Sequence, residues 1–72
     1  MNMKQYKAKF IISFLLKNWF VILRQKWSHI FMYNENIEKS TIVPFHNKDL
    51  KTGTLLSILK QSWLTKQDLE NY

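Results

Sequence analysis

Apolar residues recur at helical spacing in the first quarter of the chain. From about Lys7 to Asn18, the residues Ile11, Ile12, Phe14 and Leu15, with Ala8 before them, fall three and four apart, on one helix face. Phe10 and Leu16 lie off that face, so this helix carries more apolar surface than one buried stripe requires. The period then changes. Phe20-Val21-Ile22-Leu23-Arg24-Gln25-Lys26 is short, apolar at its start and polar at its end, which predicts a strand. Ser28 to Tyr33 predicts a second strand, and Asn34-Glu35-Asn36 is a turn cluster. Ser40 to Val43 predicts a third strand, closed by Pro44, which cannot donate to a central ladder. His46 to Lys51 reads as a polar loop. A second helix runs from Thr52, a suitable N-cap, to about Ser62, with Leu55, Leu56, Ile58 and Leu59 as its core face. Thr65 and Asp68 have the spacing of a capping box for a short last helix, with Asp in place of Glu.

This order, α-β-β-β-α plus a terminal turn of helix, predicts a small α+β fold. Three antiparallel strands with both main helices on one face is the economical arrangement. The 72 residues are expected to form one domain, residues 1–72, with its core between about 7 and 70. A chain of this size buries only about 60% of its unfolded surface, so its core is small. The net charge of +6 points to an anionic partner. The absence of cysteine excludes a disulfide and a thiolate metal site, and suits a reducing cytoplasm. The longest apolar run, Phe10 to Leu16, is far short of the roughly 20 residues that span a bilayer. No small-residue cleavage site follows it, so neither a membrane partner nor export is expected. With no Gly-rich phosphate loop, carboxylate pair or His/Cys metal spacing, no cofactor or metal is expected either.

The chain has one glycine and three tryptophans, where average usage would give about five glycines. Each tryptophan falls where the predicted elements need a left-handed backbone. Trp19 follows the first helix, at the usual site of an αL residue. Trp63 takes the same slot after the second helix, with Leu64 as the apolar residue that closes a Schellman stop. Trp27 lies between two strands; a two-residue loop Lys26-Trp27 would want positive φ at Trp27. Glycine adopts that conformation freely, whereas a bulky L-residue is strained there.

Three ordered segments resemble the HicA toxins of bacterial toxin–antitoxin systems. They are Arg24-Gln25-Lys26-x-Ser28-His29, Val43-Pro44-x-His46-Asn47-Lys48-x-Leu50, and Gly53-Thr54-Leu55-x-Ser57-Ile58-Leu59-Lys60-Gln61. The resemblance covers the chain from Ile11 to about Leu69. It implies a fold like the double-stranded-RNA-binding domain, an mRNA-cleaving toxin activity, and neutralisation by a HicB-type antitoxin usually encoded beside it. The family's catalytic histidine falls on His29. The departure is systematic: HicA proteins typically have glycine where this chain has Trp19, Trp27 and Trp63. UGA codons translated as tryptophan, but read as glycine by the source, would account for all three.

RNA cleavage without a metal needs a base for the 2′-hydroxyl, an acid for the leaving 5′-oxygen, and positive charge on the phosphate. Histidine can act as base or acid near neutrality, and His29 is the candidate base. The Lys26-Trp27 loop would set Arg24 opposite His29, with Arg24 and Lys26 clamping the phosphate. His46 is a candidate for the acid, against a structural role in its loop. Lys48 and Lys51 are candidate phosphate contacts, against a simply solvated face. Tyr33 shares a strand face with His29 and could stack a base, while Phe31 is expected in the core. Ser28 and His29 point to opposite faces in alternation, which argues against a nucleophilic pair. Two other readings remain open. A non-catalytic RNA-binding module of the same fold would bind RNA and never cut it. A membrane-active segment, Lys7 to Lys17, would need the first helix exposed, although its Ile11/Phe14/Leu15 face is required to cover the sheet.

Overall fold

The computed structural model describes residues 4–72. Its elements are α1 (Ala8–Lys17), β1 (Val21–Lys26), β2 (His29–Asn34), β3 (Lys39–Pro44), α2 (Thr52–Ser62) and α3 (Lys66–Glu70). The three strands form one antiparallel sheet in the order β1-β2-β3. The expected α+β architecture is therefore present.

One face of the sheet carries the core. Ile30 and Met32 of β2 and Val43 of β3 are buried, and the register sets Ile30 against Val43 and Met32 against Thr41. Ala8, Ile11, Phe14 and Leu15 of α1 and Leu55, Ile58 and Leu59 of α2 close over them, joined by Leu69 of α3. Leu56 was expected on the core face of α2 but is exposed, because the helix buries positions 55, 58, 59 and 62 instead. Phe10 does lie off the buried stripe of α1. It stacks on Tyr6 and meets Tyr72 edge-on, both at 5.3 Å between ring centroids.

Both main helices end in Schellman motifs. At α1, the Phe20 N–H donates to Leu15 O (3.0 Å) and the Trp19 N–H to Leu16 O (3.3 Å). At α2, the Leu64 N–H donates to Leu59 O (3.1 Å) and the Trp63 N–H to Lys60 O (3.4 Å). Phe20 is thus not the first strand residue. It is the buried apolar residue that locks the end of α1. Thr52 is not an N-cap either: Lys51 occupies that position, with no side-chain bond to the helix. The Thr65–Asp68 capping box is present, with both reciprocal bonds made at 2.8 and 3.0 Å.

Asn34, buried at the end of β2, joins two parts of the fold. Its Nδ2 donates to Asn18 O (3.1 Å) and its Oδ1 accepts from the Asn36 N–H (2.9 Å). It thereby ties the end of α1 to the β2–β3 turn. Asn34→Ala should cost about 1–3 kcal/mol, because it removes two part-buried hydrogen bonds at once. Urea denaturation measures this; a loss no larger than that of an exposed Asn47→Ala control would contradict it.

Candidate functional site

The helices cover one face of the sheet and leave the other open. On the open face, β2 presents His29, Phe31 and Tyr33, alternating with the buried Ile30, Met32 and Asn34. The register of β1 adds Val21 opposite Tyr33, Arg24 opposite Phe31 and Lys26 opposite His29. A bulge between Ile22 and Arg24 sets this alignment. It leaves Ile22 opposite the buried Met32 while Arg24 and Lys26 share the side of His29.

This register corrects one expectation. The hairpin loop is Trp27-Ser28, not Lys26-Trp27, so Lys26 rather than Arg24 stands opposite His29. Of the two loop residues, only Trp27 has positive φ, at 57°, the pattern of a type II′ turn, whose first position favours glycine. Ser28 is a turn residue rather than a strand residue, and the Trp27 carbonyl accepts a bond from Gln25 Nε2 (3.0 Å). Arg24 lies two residue pairs along the ladder, its Cζ 4.5 Å from the centre of the Phe31 ring. Phe31 was expected in the core. Half-buried on the open face, it instead supports the guanidinium.

The three loop residues gather elsewhere. His46, Lys48 and Lys51 line an open cleft of about 830 Å³ with Pro44 and Thr54. The two groups meet at Pro44, which lines the cleft and is the Cα partner of His29 in the β2–β3 ladder. Phe45 fastens the cleft to the hairpin, its N–H donating to Ser28 O at 2.6 Å. The far side of the loop is held by Lys7, which donates to Asn47 O (2.9 Å) and pairs with Asp49 (3.1 Å). That pair satisfies the loop's one acid and leaves Lys48 and Lys51 as its uncompensated charges.

Sequence reasoning missed the part played by Pro44 and Phe31. Alternation from His29 already sets Phe31 on the open face, so its exclusion from the core was readable. The contact of Pro44 with the site depends on pairing between strands, which no local pattern specifies. Among the described residues, no three His, Cys, Asp or Glu side chains converge as metal ligands, and no helix is long and apolar enough to cross a membrane.

The family model described as the HicA toxin of bacterial toxin–antitoxin matches residues 8–64. That span contains α1, the whole sheet, α2, the open face and the cleft. Comparison with curated proteins found no match.

Proposed function

This chain belongs to the HicA toxin family of bacterial toxin–antitoxin systems, and from that premise we propose that it is an endoribonuclease. It cuts mRNA in the cytoplasm and is held inactive by a HicB-type antitoxin. The observation that carries this reading is the pairing of Lys26 with His29 on an uncovered sheet face, with Arg24 alongside. Facing residues on one side of an antiparallel pair have Cβ atoms about 5 Å apart, close enough to act on one phosphodiester.

In this mechanism His29 takes the proton of a ribose 2′-hydroxyl. The 2′-oxygen attacks the adjacent phosphorus and the bond to the 5′-oxygen breaks. Lys26 and Arg24 bear the negative charge that builds on the phosphate oxygens. The leaving 5′-oxygen needs a proton, and His46 is the candidate donor, in the loop that begins beside His29 at Pro44. Lys48 and Lys51 hold a neighbouring phosphate of the strand, and Tyr33 supplies a stacking surface at the other end of β2. An antitoxin with an acidic surface would cover the open face and compensate its charge.

Induced alone, the chain should arrest growth, and co-expression of the neighbouring antitoxin gene should relieve the arrest. The purified chain should cut RNA without added metal. RNA binding with no cutting under any condition would replace this reading with the binding module. Lys26→Ala should weaken RNA binding and lower the slope of log affinity against log salt by about one. An unchanged salt slope would remove Lys26 from the phosphate site.

A further inference from the structure

We propose that residues 19, 27 and 63 are glycine in the protein its source makes. Their codons are UGA, read there as glycine and rendered as tryptophan in this sequence. The inference stands on backbone geometry and does not depend on the ribonuclease reading.

The backbone has positive φ at all three positions: 74° at Trp19, 57° at Trp27 and 60° at Trp63. Each has a defined local cause. Residues 19 and 63 are the left-handed residues of the two Schellman stops, and residue 27 is the first loop position of the β1–β2 hairpin. All three are sites where glycine is the usual occupant and where a Cβ is strained. Only one other described residue has positive φ, Glu38 at 54°, next to β3. Three tryptophans assigned at random to the described positions would all fall among these four roughly once in ten thousand trials.

The side chains return little burial for that strain. Trp19, Trp27 and Trp63 are 75%, 84% and 65% exposed, the three most exposed large apolar residues described. Tryptophan is normally well buried, because its value to a fold lies in the area it removes from water. Lys39 Nζ lies 4.5 Å from the Trp63 ring at the surface, while the core takes its aromatics from Phe14 and Phe20. Meanwhile the one glycine, Gly53, sits in the first turn of α2 without positive φ, and a Cβ there would meet nothing within 4 Å. So the chain has glycine where any residue fits, and tryptophan where glycine is needed.

A base-stacking role does not explain the pattern. Trp19 precedes β1 and Trp27 follows it, so the six residues of that strand separate them by about 20 Å. Trp63 lies beside Lys39, which pairs with Asn34 at the end of the sheet away from Trp27. The three indoles form no single platform. A change of codon meaning explains all three at once, because these are the only tryptophans in the chain. UGA is a stop in the standard code, tryptophan in some codes and glycine in others.

The test is to read the three codons and sequence peptides of the endogenous protein by mass spectrometry. Three UGA codons and glycine at all three positions are expected. A UGG codon, or tryptophan in any of the three peptides, overturns the proposal. Independently, the chain carrying Trp19→Gly, Trp27→Gly and Trp63→Gly should melt about 5 °C or more above the tryptophan form. An equal or lower melting temperature would remove the strain on which the inference stands.

Discussion

His29→Ala is expected to reduce RNA cleavage by about 10²–10⁴-fold, the usual contribution of one positioned acid–base group. RNA affinity should stay within about a factor of two, because phosphate contacts dominate binding and the lysines and Arg24 remain. The separation of the two effects is what makes the measurement informative. His29 is exposed at the start of β2 and supports no part of the core, so the variant should fold normally. Cleavage of a defined RNA under single-turnover conditions, beside a binding titration, gives both numbers. Should the variant cut at the parental rate, the base lies elsewhere. The same comparison belongs in the triple-glycine chain as well, since residue 27 shapes the hairpin that holds Lys26 against His29.

Phe20→Ala is expected to cost about 3–5 kcal/mol, the usual range for deleting a buried aromatic ring. Chains of this length are stable by roughly 4–11 kcal/mol in all, so the variant should be close to unfolding. The reason is position as well as size. Phe20 is fully buried, and its N–H makes the shorter of the two bonds that close the α1 stop, so one residue couples the helix end to the core and to the start of β1. Phe10→Ala removes an equal ring from the half-exposed cluster with Tyr6 and Tyr72 and should cost only about 1 kcal/mol. Guanidinium unfolding of the two variants compares them directly. Equal losses would mean that Phe20 does not anchor the fold as its burial indicates.

Phe20 also shows how far local pattern reaches. It stands at the head of a run of β-branched and apolar residues and reads as strand, yet it belongs to the helix stop. The distinction lies in the backbone bonds at Leu15 and Leu16, not in side-chain chemistry. The helices themselves were legible, because burial of one face imposes a spacing of three and four. Leu56 read as core for the same reason and is exposed, since the four apolar residues of α2 cannot all face one way on a two-layer fold. The capping box was legible because both of its bonds are local and need only a Thr and an Asp three apart. Thr52 failed as a cap because the helix begins one residue earlier than a Thr cap would require.

The candidate site divides along the same line. That His29, Phe31 and Tyr33 share a face follows from strand alternation, a property of single residues in order. The demand for a left-handed backbone at residues 19, 27 and 63 also follows from order, because stops and tight loops are local devices, and all three φ values agree with it. Which cation faces His29 is different. It depends on a loop boundary one residue later than expected, and a shift of one residue exchanges every partner along a ladder. The meeting of the open face with the cleft at Pro44 depends on β3 pairing with β2, a contact across 15 positions of chain. Periodicity and local turn chemistry are written along the chain. Register and the joining of distant segments come from the packing of the whole sheet, which chooses among pairings that the local pattern leaves equal.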